Sequence, residues 1–163
     1  MTAIDPMDYR RTLGSYPTGV VIITADGDDG PVGLAIGSFS SVSLDPPLVG
    51  FLPDKSSTSW PKIAASGSFC VNVLAADQLP VCKAFASKGG DKYTSVAWRT
   101  ASTGSPVLEG VVAWMDCSVE DVVEAGDHWF VTGRIQAMAV ERDDVGPLLF
   151  FRGQYGDFTP HPV

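Results

Sequence analysis

The sequence predicts a mainly β fold: an antiparallel β-barrel, closed or nearly closed, with a few short helices beside it. Three observations lead to this class. Short runs rich in Val, Ile and Phe recur along the chain, turn-forming residues separate several of these runs, and helical patterns are confined to three short segments. The 163 residues, 45% of them apolar, suffice for one core, so we expect a single domain over residues 1–163.

Seven segments have the composition of β-strands. They cover residues 20–24, 32–36, 48–52, 69–74, 111–123, 129–140 and 148–151. The letters "ADGDDG" separate the first two segments by a few turn-forming residues, which favours an antiparallel hairpin over a crossover helix. The letters "VEAGDHW" predict a second hairpin in the same way.

The three helical segments each begin near a residue that can accept hydrogen bonds from free backbone N–H groups. The predicted N-caps are Asp5, Ser57 and Asp77, and the glycines predicted to end the helices are Gly14, Gly67 and the pair Gly89-Gly90. We therefore expect three short helices, each between one cap and one glycine.

Charge and targeting patterns exclude several classes of protein. The formal charge of -8 and the pI near 4.5 disfavour binding to nucleic acid and to anionic membranes. The N-terminal letters "MTAIDPMDYRRTLG" carry charges where a signal peptide needs an apolar stretch, and the sequence contains no run of about 18 apolar residues that could form a membrane span. We expect a cytoplasmic protein that lies outside the membrane.

The cysteines predict no disulfide and no metal site. Cys70, Cys82 and Cys117 are odd in number, lack C-x-x-C spacing and lie in apolar runs. We expect them to be reduced thiols in the core.

Two hydroxyl-rich segments could hold a phosphate group. They are "GSFSSVS", from Gly37 to Ser43, and "DKSSTSW", from Asp54 to Trp60. A helix that begins near Ser57 would offer free N–H groups, and Lys55 would add a positive charge. The alternative is that Ser57 only caps a helix and the other serines lie in solvated turns.

His128 is a candidate functional residue at a predicted hairpin corner, where Asp127 could orient its ring. A structural or solvated histidine is the alternative. We find no Ser-His-Asp spacing, nucleophile elbow or paired carboxylates in the sequence, so the chemistry of a hydrolase is not expected. Arg152 and Tyr155 lie on a predicted turn after the last strand, where a surface ion pair is the simpler explanation for Arg152.

The order of eight motifs resembles the flavin reductase family, especially the reductase components of two-component flavin-dependent monooxygenases. The motifs are "YPTGVVIIT", "PVGLAIGSFSSVSLDPPLVGF", "DKSSTSW", "SGSFCVNVL", "KGGDKY", "SPVLEG", "EAGDHWFVTGRI" and "PLLFFRGQY". Each motif alone is weak, but their succession in one register from about Tyr9 to Tyr155 is specific.

The resemblance implies a split β-barrel that binds FMN or FAD and forms a homodimer. It also implies hydride transfer from NADH or NADPH to the flavin, followed by release of reduced flavin to a partner monooxygenase. The sequence shows no basic pair suited to the 2′-phosphate of NADPH, which favours NADH. Two alternatives remain: a non-catalytic flavin- or haem-binding protein on the same barrel, and an oxidase that acts on a small molecule through bound FMN.

The resemblance also implies which residues form the site. The flavin phosphate and ribityl chain would contact Ser38, Ser40, Ser41, Lys55, Ser56, Ser57 and Thr58. The flavin ring would lie near Leu52, Pro53 and Asp54, with Phe85 against it. The nicotinamide nucleotide would contact His128, Arg152, Gly153 and Tyr155, with His128 in the catalytic site.

The sequence departs from the family pattern at one position in the first serine segment. Family members commonly carry an Ala-Asn-like pair where this chain has Ile36 and Gly37. Gly37 can offer only its backbone N–H to a cofactor.

Since hydride transfer has no obligatory general base, we expect His128 to orient the nicotinamide rather than to transfer a proton.

Overall fold

Most of the chain is β-structure, and the helices are short. The structure is a computed structural model that describes residues 3–163, so the first two residues of the predicted 1–163 domain lie outside it. The helices are α1 (Pro6–Leu13), α2 (Trp60–Ser66) and α3 (Leu79–Ala86), the last preceded by a 3₁₀ turn at Ala76–Gln78. The strands are β1 (Thr18–Gly19), β2 (Val21–Gly27), β3 (Gly30–Ile36), β4 (Ser40–Ser43), β5 (Leu48–Phe51), β6 (Ser68–Val73), β7 (Trp98–Thr100), β8 (Pro106–Leu108), β9 (Ala113–Ala125), β10 (His128–Val140), β11 (Leu149–Phe151) and β12 (Gln154–Gly156).

One antiparallel sheet of seven strands dominates the fold. Its strand order is β3-β2-β6-β9-β10-β5-β4, and two small antiparallel sheets accompany it, one in the order β1-β11-β12 and one formed by β7 and β8. The predicted mainly β, antiparallel class is confirmed. Because β3 and β4 are the edges of the large sheet, the sheet is open between them rather than closed.

All seven predicted strand segments are strands, with ends that differ by at most three residues. Both predicted hairpins are confirmed: Gly27 pairs with Gly30 between β2 and β3, and Ala125 pairs with His128 between β9 and β10. The strands that the sequence did not predict, β1, β4, β7, β8 and β12, have two to four residues each. Runs this short are held by their pairing partners rather than by their own composition.

The first helix matches the prediction at both ends. Asp5 caps it: its Oδ1 accepts hydrogen bonds from the N–H of Met7 at 2.7 Å and of Asp8 at 3.2 Å. Gly14 follows the last helical residue, and its N–H donates to Arg10 O at 2.8 Å. The local cap signals were sufficient here because they act within one turn.

The start of the second helix requires a correction. The helix begins at Trp60 with Ser59 as its N-cap, later than the predicted start near Ser57. Ser57 still contributes, because its Oγ accepts the Trp60 N–H at 3.1 Å. The predicted end at Gly67 is confirmed, where a φ of 72° suits glycine.

The third helix differs from the prediction at both ends. Asp77 lies inside the 3₁₀ turn, where its carboxylate binds the Arg142 guanidinium at 3.0 and 3.1 Å instead of capping the helix. The helix ends at Ala86, before the Gly89-Gly90 pair. The Asp77 carboxylate, predicted to cap the helix, thus forms an ion pair with a residue distant in sequence instead.

Residues on both faces of β2 are buried, which gives two apolar cores. Ile23 packs in a cluster with Phe51, Phe69 and other residues, whereas its neighbour Ile22 packs in a second cluster that includes Phe85. Alternate residues of a strand point to opposite faces, so a continuous apolar run marks a strand that is covered on both sides.

The three cysteines are free and buried, as predicted. Burial raises the pKa of Cys117 to about 12 and raises that of Cys70 further. Among the helices described between residues 3 and 163, none has the length and hydropathy needed to cross a bilayer.

Gly133 of β10 lies against the core. A Cβ at this position would lie 2.3 Å from Cζ of Phe69, whose side chain is fully buried. We expect Gly133→Ala to lower the free energy of unfolding by about 1–3 kcal/mol, measured by urea denaturation, because overpacking displaces neighbouring side chains. Gly156→Ala is the matched control, since a Cβ there has nothing within 4 Å. An equal loss in both variants would contradict the packing explanation.

Exposed carboxylates paired with arginine or tryptophan predict acid sensitivity. The pKa values of three carboxylates lie below their ordinary values because each carboxylate accepts a hydrogen bond. The donors are Arg142 for Asp77, Arg134 for Glu120 and Trp114 for Glu141. Because the folded pKa values are depressed, the stability they contribute is present above the ordinary values of 3.8 and 4.5 and is lost as the pH falls through the lower folded values. We expect the urea midpoint to fall between pH 6 and pH 3, and a midpoint that rises would contradict this.

Candidate functional site

Residues from four distant parts of the chain line one groove of about 560 Å³. Six of the predicted site residues lie in its wall: Gly37, Ser38, Leu52, Asp54, Ser57 and His128. The groove also includes Tyr9 from α1, residues 34–36 of β3, and Ala125 and Asp127 of the β9–β10 turn. The volume is within the range of roughly 300–1,000 Å³ that small-molecule sites usually have.

A short backbone ladder fastens the β9–β10 turn to the segment after β5. Asp54 and His128 form an isolated antiparallel bridge. On either side of it, Lys55 N–H donates to Asp127 O and Trp129 N–H donates to Pro53 O, both at 2.9 Å. The ladder brings the imidazole of His128 and the hydroxyl-rich second segment to the same groove.

Ser38 joins the first serine segment to the end of β5. Its Oγ accepts the Leu52 N–H at 3.0 Å and donates to Leu52 O at 3.2 Å. The neighbouring Phe39 is partly buried and packs against the first core cluster. Ser38 therefore shapes the groove wall, and its hydroxyl is already engaged in two backbone contacts.

Gly37 allows a close approach at the groove. A Cβ there would be 3.0 Å from Oγ1 of Thr18. Gly37, where the sequence departs from the family pattern, is thus a position at which a longer side chain would crowd Thr18. Only the backbone of Gly37 can serve a ligand, as predicted from its identity.

The turn after β5 is organised by Asp54 and Ser57. The Ser56 N–H donates to Asp54 Oδ1 at 2.6 Å, and hydrogen bonds from Ser56 lower the pKa of Asp54, with a smaller contribution from the nearby His128. Ser57 Oγ accepts from the N–H groups of Ser59 and Trp60 at 3.3 and 3.1 Å. Its own hydroxyl hydrogen is left to donate to an anion in the groove.

His128 is held by Asp127, as the sequence suggested. Its Nδ1 lies 2.7 Å from Asp127 Oδ1, and its side chain is 39% exposed. A carboxylate on Nδ1 favours the tautomer with hydrogen on that nitrogen and leaves Nε2 as an acceptor. The ring is therefore oriented at the groove wall rather than free to rotate.

Lys55 is already paired within the protein. Its Nζ is 3.3 Å from Glu124 Oε1 and 4.9 Å from the centre of the Trp129 ring. The charge that the sequence assigned to a phosphate thus lies against the β9–β10 hairpin. A phosphate would have to compete with Glu124 for it.

The structure does not bring every predicted residue to the groove. Ser40 and Ser41 lie on the exposed edge strand β4, and Thr58 lines a different cavity with Lys62 and Lys92. Phe85 is 1% exposed and packs edge-on against Tyr93, with ring centres 5.0 Å apart.

The predicted nicotinamide residues divide between two places. His128 lies in the groove, whereas Arg152 and Gly153 line a second cavity beside α1. Tyr155 packs against Phe150, with ring centres 5.0 Å apart. Their joint contact with one nucleotide remains a prediction.

Sequence reasoning missed Tyr9, which reaches the groove from α1. No local signal could have found it, because α1 buries none of its residues and has no apolar face covered by the sheet. Within residues 3–163, we find no group of three His, Cys, Asp or Glu side chains placed to hold a metal ion.

The residues of the groove fit a flat, partly polar ligand. Leu34, Ile36 and Leu52 provide apolar wall, and Ser57 and His128 provide hydrogen-bonding groups. A flavin needs this combination, an apolar surface for its ring and polar groups for its edge and tail. Asp54 and Asp127 oppose an anionic tail, so the hydroxyl and backbone N–H groups would have to hold it.

Comparison with known proteins identifies the relatives of this chain. The model of the flavin reductase like domain matches residues 13–159. A flavin reductase of Pseudomonas putida is 57% identical over 159 residues, covering 97% of this chain and 93% of that protein. The reductase subunit HsaB of a flavin-dependent monooxygenase from Rhodococcus jostii is 48% identical, covering 97% and 80% of the two proteins.

Solved structures agree with the sequence comparison. The NADH:FAD oxidoreductase SgcE6 of Streptomyces globisporus, in complex with NAD and FAD fragments, superposes with a TM-score of 0.89 at 32% identity. The match covers 98% of each chain. The predicted split β-barrel is confirmed.

Proposed function

Because this chain belongs to the flavin reductase like family, we propose that its groove is the site of NAD(P)H-dependent flavin reduction. The chain is an NAD(P)H:flavin oxidoreductase that uses flavin and NADH. The family assignment favours this enzyme over the non-catalytic flavin- or haem-binding protein.

The convergence of Ser38, Ser57 and His128 on one groove carries the site proposal. These residues lie on separate segments, which are joined by the bridge between Asp54 and His128 with its flanking hydrogen bonds and by the contact of Ser38 with Leu52. The meeting of residues so distant in sequence in one wall supports a site at this groove. We assign Ser57 to the flavin tail, Leu52 and the backbone of residues 53 and 54 to the ring, and His128 to the nicotinamide.

The chain's own residues orient the reactants and exclude water. When both cofactors are bound, the nicotinamide supplies the hydride and the flavin accepts it. His128, fixed by Asp127, would offer Nε2 to the nicotinamide as a positioning contact. This role asks for no proton transfer by the imidazole, because the hydride passes directly between the two cofactors.

The finer parts of the proposal concern assembly and partners. We propose a homodimer, supported by apolar side chains that are exposed in the single chain, such as Leu44 at 92% and Met138 at 67%. We also propose that reduced flavin passes to a partner monooxygenase, since relatives are reductase subunits of such enzymes.

Location and domain extent are also part of the proposal. Free buried cysteines support a reducing compartment, the cytoplasm. The family match over residues 13–159 supports one domain for the 1–163 chain.

The remaining site assignments from the resemblance are also part of the proposal. We assign to the flavin the residues Phe85, Ser40, Ser41, Lys55, Ser56 and Thr58. We assign to the nicotinamide nucleotide the residues Arg152, Gly153 and Tyr155.

Steady-state oxidation of NADH and NADPH, each with riboflavin, FMN and FAD, tests the function. We expect NADH consumption that depends on added flavin, with NADH preferred to NADPH. If riboflavin supports turnover but with a higher KM than FMN, the phosphate contributes to binding. A binding module would consume no NADH with any flavin, and that result would contradict the proposal.

A further inference from the structure

A second cavity, of about 550 Å³, gathers three arginines on the surface of an acidic protein. Its walls are Arg10, Arg11, Gly14, Ser15, Arg152 and Gly153. The chain has 11 Lys and Arg against 19 Asp and Glu, so three guanidinium groups around one concave site stand out against the surrounding charge. We call this site the arginine cavity.

The arginine cavity is held together by backbone contacts between two separate elements. Arg152 N–H donates to Gly14 O at 3.0 Å, which fastens the β11–β12 hairpin to the end of α1. Arg152 and Gly153 have φ values of 50° and 78°. Tight hairpin turns of this kind prefer Asn or Gly at the first position, so the backbone does not explain an arginine there.

Charge pairing within the protein does not account for these arginines. In the part of the chain that the structure describes, the basic partners in ion pairs are Lys55, Arg99, His128, Arg134 and Arg142. Arg10 and Arg11 lie in the last turn of α1, where the helix dipole favours a cation. The Arg152 guanidinium lies 4.9 Å from the centre of the Phe151 ring, a contact that leaves its charge unpaired with any carboxylate in the described part of the chain. Guanidinium groups bind phosphate oxygens well because their N–H groups form a planar fork.

The arginine cavity adjoins the groove through α1. Tyr9 lines the groove, and Arg10, the next residue, lines the arginine cavity. Consecutive side chains of a helix point in different directions around an axis whose overall diameter is about 10–12 Å, so the two cavities flank the same turn of α1. An extended dinucleotide that curves around this turn can contact both.

We propose that Arg10, Arg11 and Arg152 bind the pyrophosphate of the nicotinamide nucleotide while its nicotinamide ring occupies the groove. This inference rests on the proposed function and deepens it. The arginine cavity neutralises the diphosphate, which the acidic protein would otherwise repel. The arginines add binding energy that is the same before and during hydride transfer, so they lower KM without changing kcat.

ADP binding to the flavin-free protein tests the proposal without turnover. We expect the Arg10→Gln/Arg11→Gln variant to bind ADP about tenfold more weakly by calorimetry, and wild-type affinity to fall as salt rises. Lys83→Gln/Arg134→Gln removes the same charge from residues outside the arginine cavity and the groove. Equal weakening in this control would show a general charge effect and overturn the site. Unchanged ADP affinity in the arginine variant would also overturn it.

Kinetics of the same variants separate the possible phosphate sources. We expect the KM for NADH to rise about tenfold in Arg10→Gln/Arg11→Gln, with kcat and the KM for FMN unchanged. A loss confined to NADPH would assign the arginines to the 2′-phosphate, and a loss confined to FMN would assign them to the flavin; either result overturns the proposal. If wild type and variant turn over NADH equally, the arginine site fails and flavin reduction stands. If wild type consumes no NADH, the proposed function itself fails.

Discussion

Replacing His128 with alanine should raise the KM for NADH about tenfold, while kcat and the affinity for flavin change little. The expected size corresponds to one lost hydrogen bond of about 1–1.5 kcal/mol, since a tenfold change is about 1.4 kcal/mol. His128 is half-exposed at the groove and its ring is oriented by Asp127 at 2.7 Å. Steady-state kinetics with varied NADH at saturating FMN, together with a flavin titration, measures both effects.

Asp127→Asn is the matched variant for His128. An amide can still bond to Nδ1 but no longer favours one tautomer as a carboxylate does, so we expect a smaller rise in KM. If His128→Ala instead lowers kcat and kcat/KM equally, the imidazole contributes only in the transition state. A break in the pH–rate profile that disappears in the alanine variant would show proton transfer by His128 and would contradict the positioning role.

Removing Ser57 and Lys55 together should weaken flavin binding. We expect Ser57→Ala/Lys55→Met to lose about 1–3 kcal/mol of binding energy for FMN, roughly a 5- to 150-fold rise in Kd. Ser57 lines the groove with a hydroxyl hydrogen free to donate, and Lys55 follows Asp54 on the same turn. Fluorescence titration with FMN and riboflavin measures the loss, which should be larger for FMN because only FMN carries the phosphate.

The Lys55–Glu124 ion pair provides a control for the lysine. If Lys55 leaves Glu124 to bind the flavin phosphate, Glu124→Gln should tighten FMN binding by removing the competitor, whereas riboflavin affinity should not change. Surface pairs of this kind contribute about 0–1 kcal/mol, so the gain should be modest. Equal FMN affinity in wild type and Ser57→Ala/Lys55→Met would refute the phosphate assignment.

The β-strands could be predicted because their signals are local. Runs such as the apolar segment from Val20 to Ile23 are buried on both faces, and this burial is visible in the sequence as uninterrupted hydrophobicity. Hairpin turns such as Gly27 to Gly30 are also encoded within a few residues. The short strand β4, made of three serines and a valine, carries no such signal and depends on β5 for its hydrogen bonds.

The candidate site could be predicted only in part. The serine segments and His128 were identified from residue type and from resemblance, and Ser38, Ser57 and His128 do share a groove. The ion pair between Lys55 and Glu124, 69 residues apart, could not be predicted, because either side chain could have paired with many other exposed charges. The resemblance assigns Phe85 to a contact with the flavin, but its side chain is buried in the second core cluster of this single chain. Its contact with the flavin stays a prediction.

The fold class, the two hairpins and the caps of α1 could be predicted because they depend on periodicity and on residues close together in the chain. The family was predicted from the succession of motifs along the chain, which a single sequence displays directly. Which residues meet at the site, in contrast, became visible only in the folded chain. The bridge between Asp54 and His128 and the contact of Arg152 with Gly14 join segments far apart in sequence. Such pairings follow from the order of strands in the sheet, a property of the whole packed chain that no local pattern encodes.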